Sequence, residues 1–230
     1  MNAPLRLLAS ALLAACALPV HAGRPLATED ADTLEAGACE WESFAGRESA
    51  RGTPSARAWA TQVGCGVGHR AQVALAYGEA RSGGLKVPAW TLGGKLGLVP
   101  RADGATGLTL AWALGAEKAP GDSLKHETSL LNLVATREVA GDVLVHLNLG
   151  WTRSESARQN ATLWNAAVEG PVGHGVDLMA EVYGDDRSKP WVGTGIRWTL
   201  ADNFSMNASY AVQTESVRVK LWTVGFKLAF

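Results

Sequence analysis

The sequence lacks a long apolar run anywhere beyond its first 22 residues. Its longest apolar stretch, residues 7–18, is too short for a helix that spans a bilayer. Transmembrane helices are therefore not predicted, although 47% of the residues are apolar. Apolar residues spread in this way are typical of a membrane β-barrel, because only one side of each strand meets lipid.

Net charge is also nearly absent. The chain has 21 lysines and arginines against 22 aspartates and glutamates. Loss of residues 1–22, which contain Arg6 and no acid, would leave 20 against 22. A near-neutral chain without basic runs offers no electrostatic footprint for nucleic acid. We therefore expect no nucleic-acid partner.

The first 22 residues predict a signal peptide. One cation precedes the apolar stretch, and Val20-His21-Ala22 offers a small-x-small cleavage site. Cleavage there would leave residues 23–36 as a periplasmic N-terminal segment of an outer-membrane protein. The alternative is an anchored periplasmic lipoprotein, since residues 13–16 end in Cys16 and fit a lipidation box.

Twelve alternating segments follow, each about as long as a tilted transmembrane strand. Short connections alternate with longer, more charged ones, and an even strand number puts both termini on the periplasmic side. We predict an all-β fold, a 12-stranded transmembrane antiparallel β-barrel formed by residues 37–230 as one domain. The predicted strands are 37–50, 56–67, 70–81, 86–99, 104–117, 127–138, 141–153, 159–169, 173–184, 190–200, 203–214 and 217–230.

Tryptophan is abundant, with nine residues, and its placement is a second indication. Amphipathic rings favour the headgroup zones of a membrane, which predicts one belt in the outer halves of the strands and one near the periplasmic ends. Burial in the core of a soluble sandwich is the alternative. The outer belt is Trp59, Trp90, Trp112, Trp151, Trp164 and Trp222, and the periplasmic belt is Trp41, Trp198, Phe204, Phe226 and Phe230.

Cysteine is scarce, and only Cys39 and Cys65 follow the signal peptide. In an antiparallel hairpin with its turn at Gly52 these two residues lie opposite each other, within bridging range. We predict a disulfide on the outer face near the periplasmic rim, in a compartment that permits oxidation. Two unpaired thiols are the alternative. No histidine shares the spacing that a metal site needs.

The final strand has one continuously apolar face, formed by Trp222, Val224, Phe226, Leu228 and Phe230. It resembles the closing strand of bacterial outer-membrane barrels, in which the terminal Phe is an assembly signal. This resemblance implies the barrel-assembly machinery and outer-membrane lipids as partners.

Three further stretches are Arg-Pro-Leu-Ala-Thr-Glu-Asp-Ala at residues 24–31, Gly-Ala-Cys-Glu-Trp-Glu at 37–42 and Gln-Val-Gly-Cys-Gly at 62–66. Together with the final strand, they resemble the outer-membrane family named for a meta-pathway of phenol degradation. The resemblance covers almost all of the mature chain. It implies a transporter-like barrel that passes small, often aromatic or hydrophobic, compounds.

Alternation along the strands predicts which side chains line the lumen. A lipid-facing Arg or Lys at mid-depth would cost about 2–4 kcal/mol, so such residues must point inward. Opposite charges there tend to pair, and both a salt-bridged structural interior and a selectivity role stay open. The predicted lumen-lining residues are Glu40, Glu42, Gln62, Lys95, Asn132, His146, Asn148, Asp177, Glu181, Arg197 and Lys227.

Many inward positions on the second to fifth strands are glycine or alanine. Twelve strands enclose more space than an eight-stranded barrel, whose interior side chains can fill. The small residues leave room for a passage or for residues 23–36. We expect this segment to enter or cap the lumen from the periplasmic side.

Catalytic, metal and cofactor sites are not predicted. His146 is the only mid-strand histidine, and its parity makes it a polar lumen residue. No nucleophile, base and orienting group can be assembled from the sequence. We expect a non-enzymatic channel or transporter that passes a small-molecule solute by passive or facilitated diffusion. A structural or surface-interaction barrel with a plugged lumen is the second hypothesis, and an outer-membrane lipid-modifying enzyme is the third.

Overall fold

A computed structural model describes residues 26–102, 104–215 and 218–230. The predicted signal peptide and Cys16 lie outside these described residues. Within the described ranges, no helix is long and apolar enough to cross a membrane. Residues 26–36 precede the first strand.

Strands joined by short connections make up the rest of the described chain. Apolar residues alternate with small or polar ones, and this period of two matches a strand, whose side chains point to opposite faces in turn. The strands are β1 (Cys39–Ser49), β2 (Ala56–Gly68), β3 (Ala71–Ser82), β4 (Leu85–Val99), β5 (Gly107–Glu117), β6 (Lys125–Ala140), β7 (Val143–Ser154), β8 (Gln159–Gly173), β9 (Val176–Asp185), β10 (Trp191–Ala201), β11 (Phe204–Gln213) and β12 (Lys220–Ala229).

The sheet closes on itself. Each strand pairs in antiparallel fashion with its neighbours in the chain, and β1 also pairs with β12. Closure removes the unpaired sheet edge, which would be costly in a bilayer because lipid cannot hydrogen-bond to it. The predicted all-β fold, a closed antiparallel barrel of 12 strands, is confirmed.

The apolar side of the strands points out of the barrel. On β7, Leu147, Leu149 and Trp151 are 56%, 60% and 43% exposed, whereas His146 and Asn148, which alternate with the leucines, are 2% and 6% exposed. A water-soluble sandwich would bury the apolar face. The inverted arrangement is that of a membrane barrel with a polar lumen.

The two ends of the barrel differ. The hairpins β2–β3, β4–β5, β6–β7, β8–β9 and β10–β11 lie at one end together with Phe230, and we call this the turn end; the opposite end is the loop end. Each turn-end hairpin has a register shift next to its turn, as between Gly66 and Gly68. His69 and Arg70 have φ values of 53° and 56°, which suit a tight hairpin between twisted strands.

β1 and β2 adopt the register expected from their cysteines. Cys39 lies opposite Cys65, and Trp41 lies opposite Val63. The two cysteines form a disulfide. Trp41 and Val63 share the face of the cysteines and are 40% and 45% exposed, so the disulfide lies on the outer face at the turn end.

Some boundaries differ from the prediction. The β4–β5 connection spans residues 100–106 and is not a tight turn, because β5 begins only at Gly107. β8 continues through Pro171 to Gly173 and does not end at residue 169. A register shift between Pro171 and Gly173 interrupts the ladder. Proline cannot donate a ladder hydrogen bond, so within strands it is found at such bulges.

Candidate functional site

The predicted lumen-lining residues all lie on the faces opposite the exposed apolar side chains. The interior of the barrel therefore carries polar or charged residues on eight of its twelve strands. The buried members are Glu40, Glu42, Lys95, Asn132, His146, Asn148 and Glu181. The partly buried members are Gln62, Asp177, Arg197 and Lys227.

Charged lumen residues form ion pairs of opposite sign. Lys227 Nζ lies 3.6 Å from a carboxylate oxygen of Glu40, which links β12 to β1. Arg197 contacts two acids, Asp177 at 3.1 Å and Glu169 at 3.4 Å. Pairing offsets part of the cost of removing each charge from water. The wall thus presents both signs of charge in defined clusters.

His146 joins one of these clusters to a hydroxyl group. Its Nδ1 lies 2.9 Å from Thr136 Oγ1, and its Nε2 lies 3.7 Å from Glu169 Oε1. Thr136 is fully buried, and its oxygen also accepts a hydrogen bond from the Ala31 N–H. The Thr136 hydroxyl therefore already has two hydrogen-bond partners. Together, His146 and Thr136 position the main chain at Ala31. In the described part of the protein, no group of three or more His, Cys, Asp or Glu residues could hold a metal.

Residues 26–36, which we call the inner segment, run across the inside of the barrel. Ala36 forms a parallel bridge with Gly66 of β2 at the turn end. The Leu34 N–H donates to Gln72 Oε1 of β3 at 2.8 Å. The far end of the segment reaches Glu181 of β9. The inner segment therefore passes the inward faces of the strands from β2 to β9.

The N-terminal end of the inner segment is bound by two side chains. Glu181 accepts hydrogen bonds from the N–H groups of Ala27 and Thr28 at 3.0 and 2.9 Å, and from the Thr28 hydroxyl at 2.9 Å. Asn148 accepts from the Glu29 N–H at 2.7 Å and donates to the Glu29 carbonyl at 3.0 Å. The wall thus satisfies the main-chain groups that water would otherwise bind.

The middle of the inner segment is enclosed more tightly. The Ala31 N–H donates to Thr136 Oγ1 at 2.8 Å, and the Thr109 hydroxyl donates to the Ala31 carbonyl. The methyl group of Ala31 packs against Ala111 and Val134. Ala111 and Val134 are 2% and 0% exposed, so a larger side chain at position 31 would clash.

Two cations hold the acidic part of the inner segment. Lys95 Nζ donates to the carbonyls of Asp30 and Asp32 at 2.9 and 3.4 Å and lies 3.2 Å from the Asp30 carboxylate. Arg101, in the β4–β5 connection, donates two hydrogen bonds to the Asp32 carboxylate at 3.1 and 2.8 Å. These hydrogen bonds raise the pKa of the Arg101 guanidinium above its ordinary value.

Gly66 allows the inner segment to leave the lumen along the wall. A Cβ at this position would lie 2.0 Å from the Glu35 carbonyl oxygen and 2.6 Å from that of Leu34. No other residue fits where the two backbones approach so closely. At this point, the small residues of the early strands make room for the segment.

The loop-end half of the lumen has a different lining. Tyr183 of β9 lies opposite Trp191 of β10, and their rings are stacked with centroids 6.0 Å apart and planes 4° apart. Val192 is 49% exposed and points outward, so Trp191 points inward. Tyr183 shares the face of buried Glu181. An aromatic surface therefore lies on the inner wall, on the loop-end side of Glu181.

Sequence reasoning missed several of these residues. Neither predicted belt includes Trp191, although alternation along the strand from the outward Trp198 places Trp191 on the inner face. Gln72, Thr109 and Thr136 are inward by the same alternation. That they bind the inner segment had no sequence signal, because their partners are far away in the chain.

The predicted C-terminal face lies on the outside of the barrel. Trp222, Val224 and Phe230 are 58%, 59% and 67% exposed. The Phe226 ring lies edge-on to Trp41, with centroids 5.2 Å apart. The apolar face is continuous with β1 across the barrel seam. Its role as an assembly signal stays a prediction.

Comparison with protein families gives one match. The family described as uncharacterised conserved protein UCP029691 matches residues 10–230. The chain belongs to this family. This match does not confirm the resemblance to the phenol-degradation family. No curated protein sequence matches the chain.

Comparison with solved structures shows the same fold in outer-membrane proteins. The KdgM porin matches with a TM-score of 0.59 at 7% identity, covering 82% of this chain and 99% of the porin. The NanC porin matches with a TM-score of 0.57 at 6% identity, covering 82% and 98%. The β domain of the Bordetella autotransporter BrkA matches with a TM-score of 0.54 at 16% identity, covering 84% and 99%.

Proposed function

We propose that this protein is an outer-membrane channel for small molecules, and that the inner segment closes its lumen in the conformation described. The turn end faces the periplasm and the loop end faces the exterior. The observation that carries the proposal is the inner segment, held inside a polar lumen almost entirely by side chains of the wall.

The type of contact favours a removable closure over a permanent plug. A hydrogen bond contributes about 0.5–1.5 kcal/mol net, because water replaces it when it breaks. Ordering a residue costs about 1–2 kcal/mol. The two terms are of similar size over the segment, and only Ala31 and Leu26 are packed in apolar clusters. Release of the inner segment into water therefore costs little net free energy.

The lining of the loop-end half favours solutes with a planar or apolar face. The stacked rings of Tyr183 and Trp191 offer such a face on the inner wall. Beyond them, a solute meets the paired charges of Arg197, Asp177 and Glu169. This order supports passage of small aromatic or hydrophobic molecules that also carry polar groups. The KdgM and NanC porins share the fold and support a channel in general.

Planar-bilayer recording tests the proposal. The mature protein is compared with a variant that lacks residues 26–35. We expect the deletion to raise the mean current strongly, because the lumen loses the chain that crosses it. Equal currents from both proteins would contradict the closure.

A point substitution separates release of the inner segment from loss of a lumen charge. Lys95→Met removes contacts to Asp30 and Asp32 and should raise the open-to-closed ratio about tenfold, since charged hydrogen bonds contribute about 1.5–3 kcal/mol. Lys227→Met is the matched control, because Lys227 pairs with Glu40 of the wall. An equal effect of both substitutions would argue against specific release.

A structural barrel with a plugged lumen is the second hypothesis. The extent of the inner segment, from β2 to β9, is the observation that favours it. The two functions differ in one result of the same recordings. A native protein that stays electrically silent, while the variant without residues 26–35 conducts, would favour the plugged structural role.

A further inference from the structure

Four cations lie side by side on the outer wall at the loop end. Arg47 lies opposite Arg57, Arg57 opposite Arg81, and Arg81 opposite Lys86, across β1 to β4. We call these residues the basic belt. All four are exposed, and they continue the outward alternation of Trp59. The fold thus assembles a cationic row from residues that are far apart in the sequence.

The acidic neighbour of the basic belt does not neutralise all of its positive charge. Like charges directly opposite each other on a sheet destabilise the pairing. Glu79, only 3% exposed, lies 2.5 Å from both Arg81 and Lys86. One carboxylate among four cations leaves an excess of three positive charges on this wall. An external anion would relieve the repulsion between Arg47, Arg57 and Arg81.

The depth of the basic belt matches that of lipid phosphates. Trp59, Tyr77 and Trp90 form a contiguous aromatic group on the same face, with centroids 5.6 and 4.7 Å apart. Such rings mark the boundary between acyl chains and headgroups. Arg57 is two residues beyond Trp59, about 7 Å along the strand. Its guanidinium therefore lies in the headgroup layer.

A groove on the outer wall lies below the basic belt. Its volume is about 450 Å³, and Trp41, Trp59 and Phe226 are among its large lining residues. Ser43 and Thr61 lie on its floor, where their hydroxyls are 2.6 Å apart and the Trp41 Nε1–H donates to Thr61 Oγ1 at 2.6 Å. These polar atoms are already hydrogen-bonded, so the groove can accept an acyl chain.

Two cations on the strands of the opposite wall at the loop end are paired within the chain. Lys125 lies 2.8 Å from Asp122, and Arg153 lies 2.6 Å from Glu155. Each of these cations has an acidic partner within the chain. The asymmetry identifies β1 to β4 as the wall that attracts an anion.

We propose that the basic belt and the groove bind one lipopolysaccharide molecule of the outer leaflet. The phosphate groups of its lipid A bind the basic belt, and one of its acyl chains lies in the groove. Guanidinium groups suit this role because they bind phosphate oxygens in bidentate fashion. The inference rests on the outer-membrane location in the proposed function, but it does not require an open channel.

Lipid binding to the purified full-length protein in detergent tests this site. Native mass spectrometry measures retention of bis-phosphorylated lipid A by the native protein, by an Arg57→Gln/Arg81→Gln variant and by a Lys125→Gln/Arg153→Gln control. We expect the first variant to bind roughly thirty-fold more weakly, about fivefold for each cation removed near an anionic lipid. The control should bind like the native protein.

Two further ligands separate the phosphate and acyl contributions. Dephosphorylated lipid A should bind the native protein and the Arg57→Gln/Arg81→Gln variant equally weakly. Inorganic phosphate at the same concentration should not displace lipid A, because it lacks the acyl chain. Equal losses in both double variants, or equal binding of phosphorylated and dephosphorylated lipid, would overturn the proposal. Channel currents are measured in a separate experiment. The lipid-binding result can therefore be interpreted even if the protein forms no channel.

Discussion

The two halves of the lumen share one wall but differ in what they contain. The turn-end half holds the inner segment and its hydrogen-bonding residues, such as Glu181 and Lys95. The loop-end half presents the stacked rings of Tyr183 and Trp191. Both halves arise from the same alternation along the same strands. The difference indicates that closure and solute contact are performed at separate depths, so substitutions should affect them separately.

The largest effect is expected from Glu181, which binds the end of the inner segment. Glu181→Ala removes three hydrogen bonds to Ala27 and Thr28. Because hydrogen bonds to a charged group contribute about 1.5–3 kcal/mol each, we expect the open-to-closed ratio to rise at least about tenfold in bilayer recordings.

Asp177→Ala is the matched control for Glu181, since Asp177 lies on the same strand and pairs with Arg197 of the wall. It should change the open-to-closed ratio much less. If both substitutions open the barrel equally, the turn-end half does not act through the inner segment.

An intermediate effect is expected in the loop-end half. Trp191→Ala removes one of the two stacked rings, and an aromatic contact is worth about 0.5–1.5 kcal/mol. We expect the entry rate of a small aromatic solute in liposome swelling to fall about two- to tenfold. The open-to-closed ratio should stay the same.

Trp198→Ala tests the comparison on the same strand, because Trp198 is 51% exposed on the outer face. It should leave solute entry unchanged. A change in gating from Trp191→Ala, or equal loss of solute entry in both variants, would show that the two halves are not separate.

The smallest effect on the lumen is expected from the disulfide. A Cys39→Ser/Cys65→Ser variant loses a link that closes a loop of 26 residues in sequence separation. Such links contribute about 2–4 kcal/mol to folding stability. We expect a lower unfolding temperature in heat-modified electrophoretic mobility. Currents should be unchanged, because the disulfide is on the outer face.

The wall of the barrel could be predicted from the sequence to a large extent. Alternation assigned His146 and Asn148 to the inside and their leucine neighbours to the outside. The register of β1 and β2 followed from placing Cys39 opposite Cys65. These features depend only on the period of a strand and on pairing between consecutive strands, both of which are local in the chain.

The contents of the lumen could not be predicted in the same way. Thr28 and Glu181 are 153 residues apart, and their contact depends on the path of the inner segment through open space. Likewise, the sequence has no basic run, and Arg57 and Arg81 meet only through strand register. Contacts across a cavity or along a row of strands need the complete three-dimensional arrangement.

The path of the inner segment has a consequence for biogenesis. Its partners Gln72, Lys95, Asn148 and Glu181 are supplied by strands spread from β3 to β9. The docking place of the segment thus exists only once those strands stand next to one another. Residues 26–36 are synthesised before the strands but become ordered after them. Their protection from protease therefore indicates that the barrel is completely assembled.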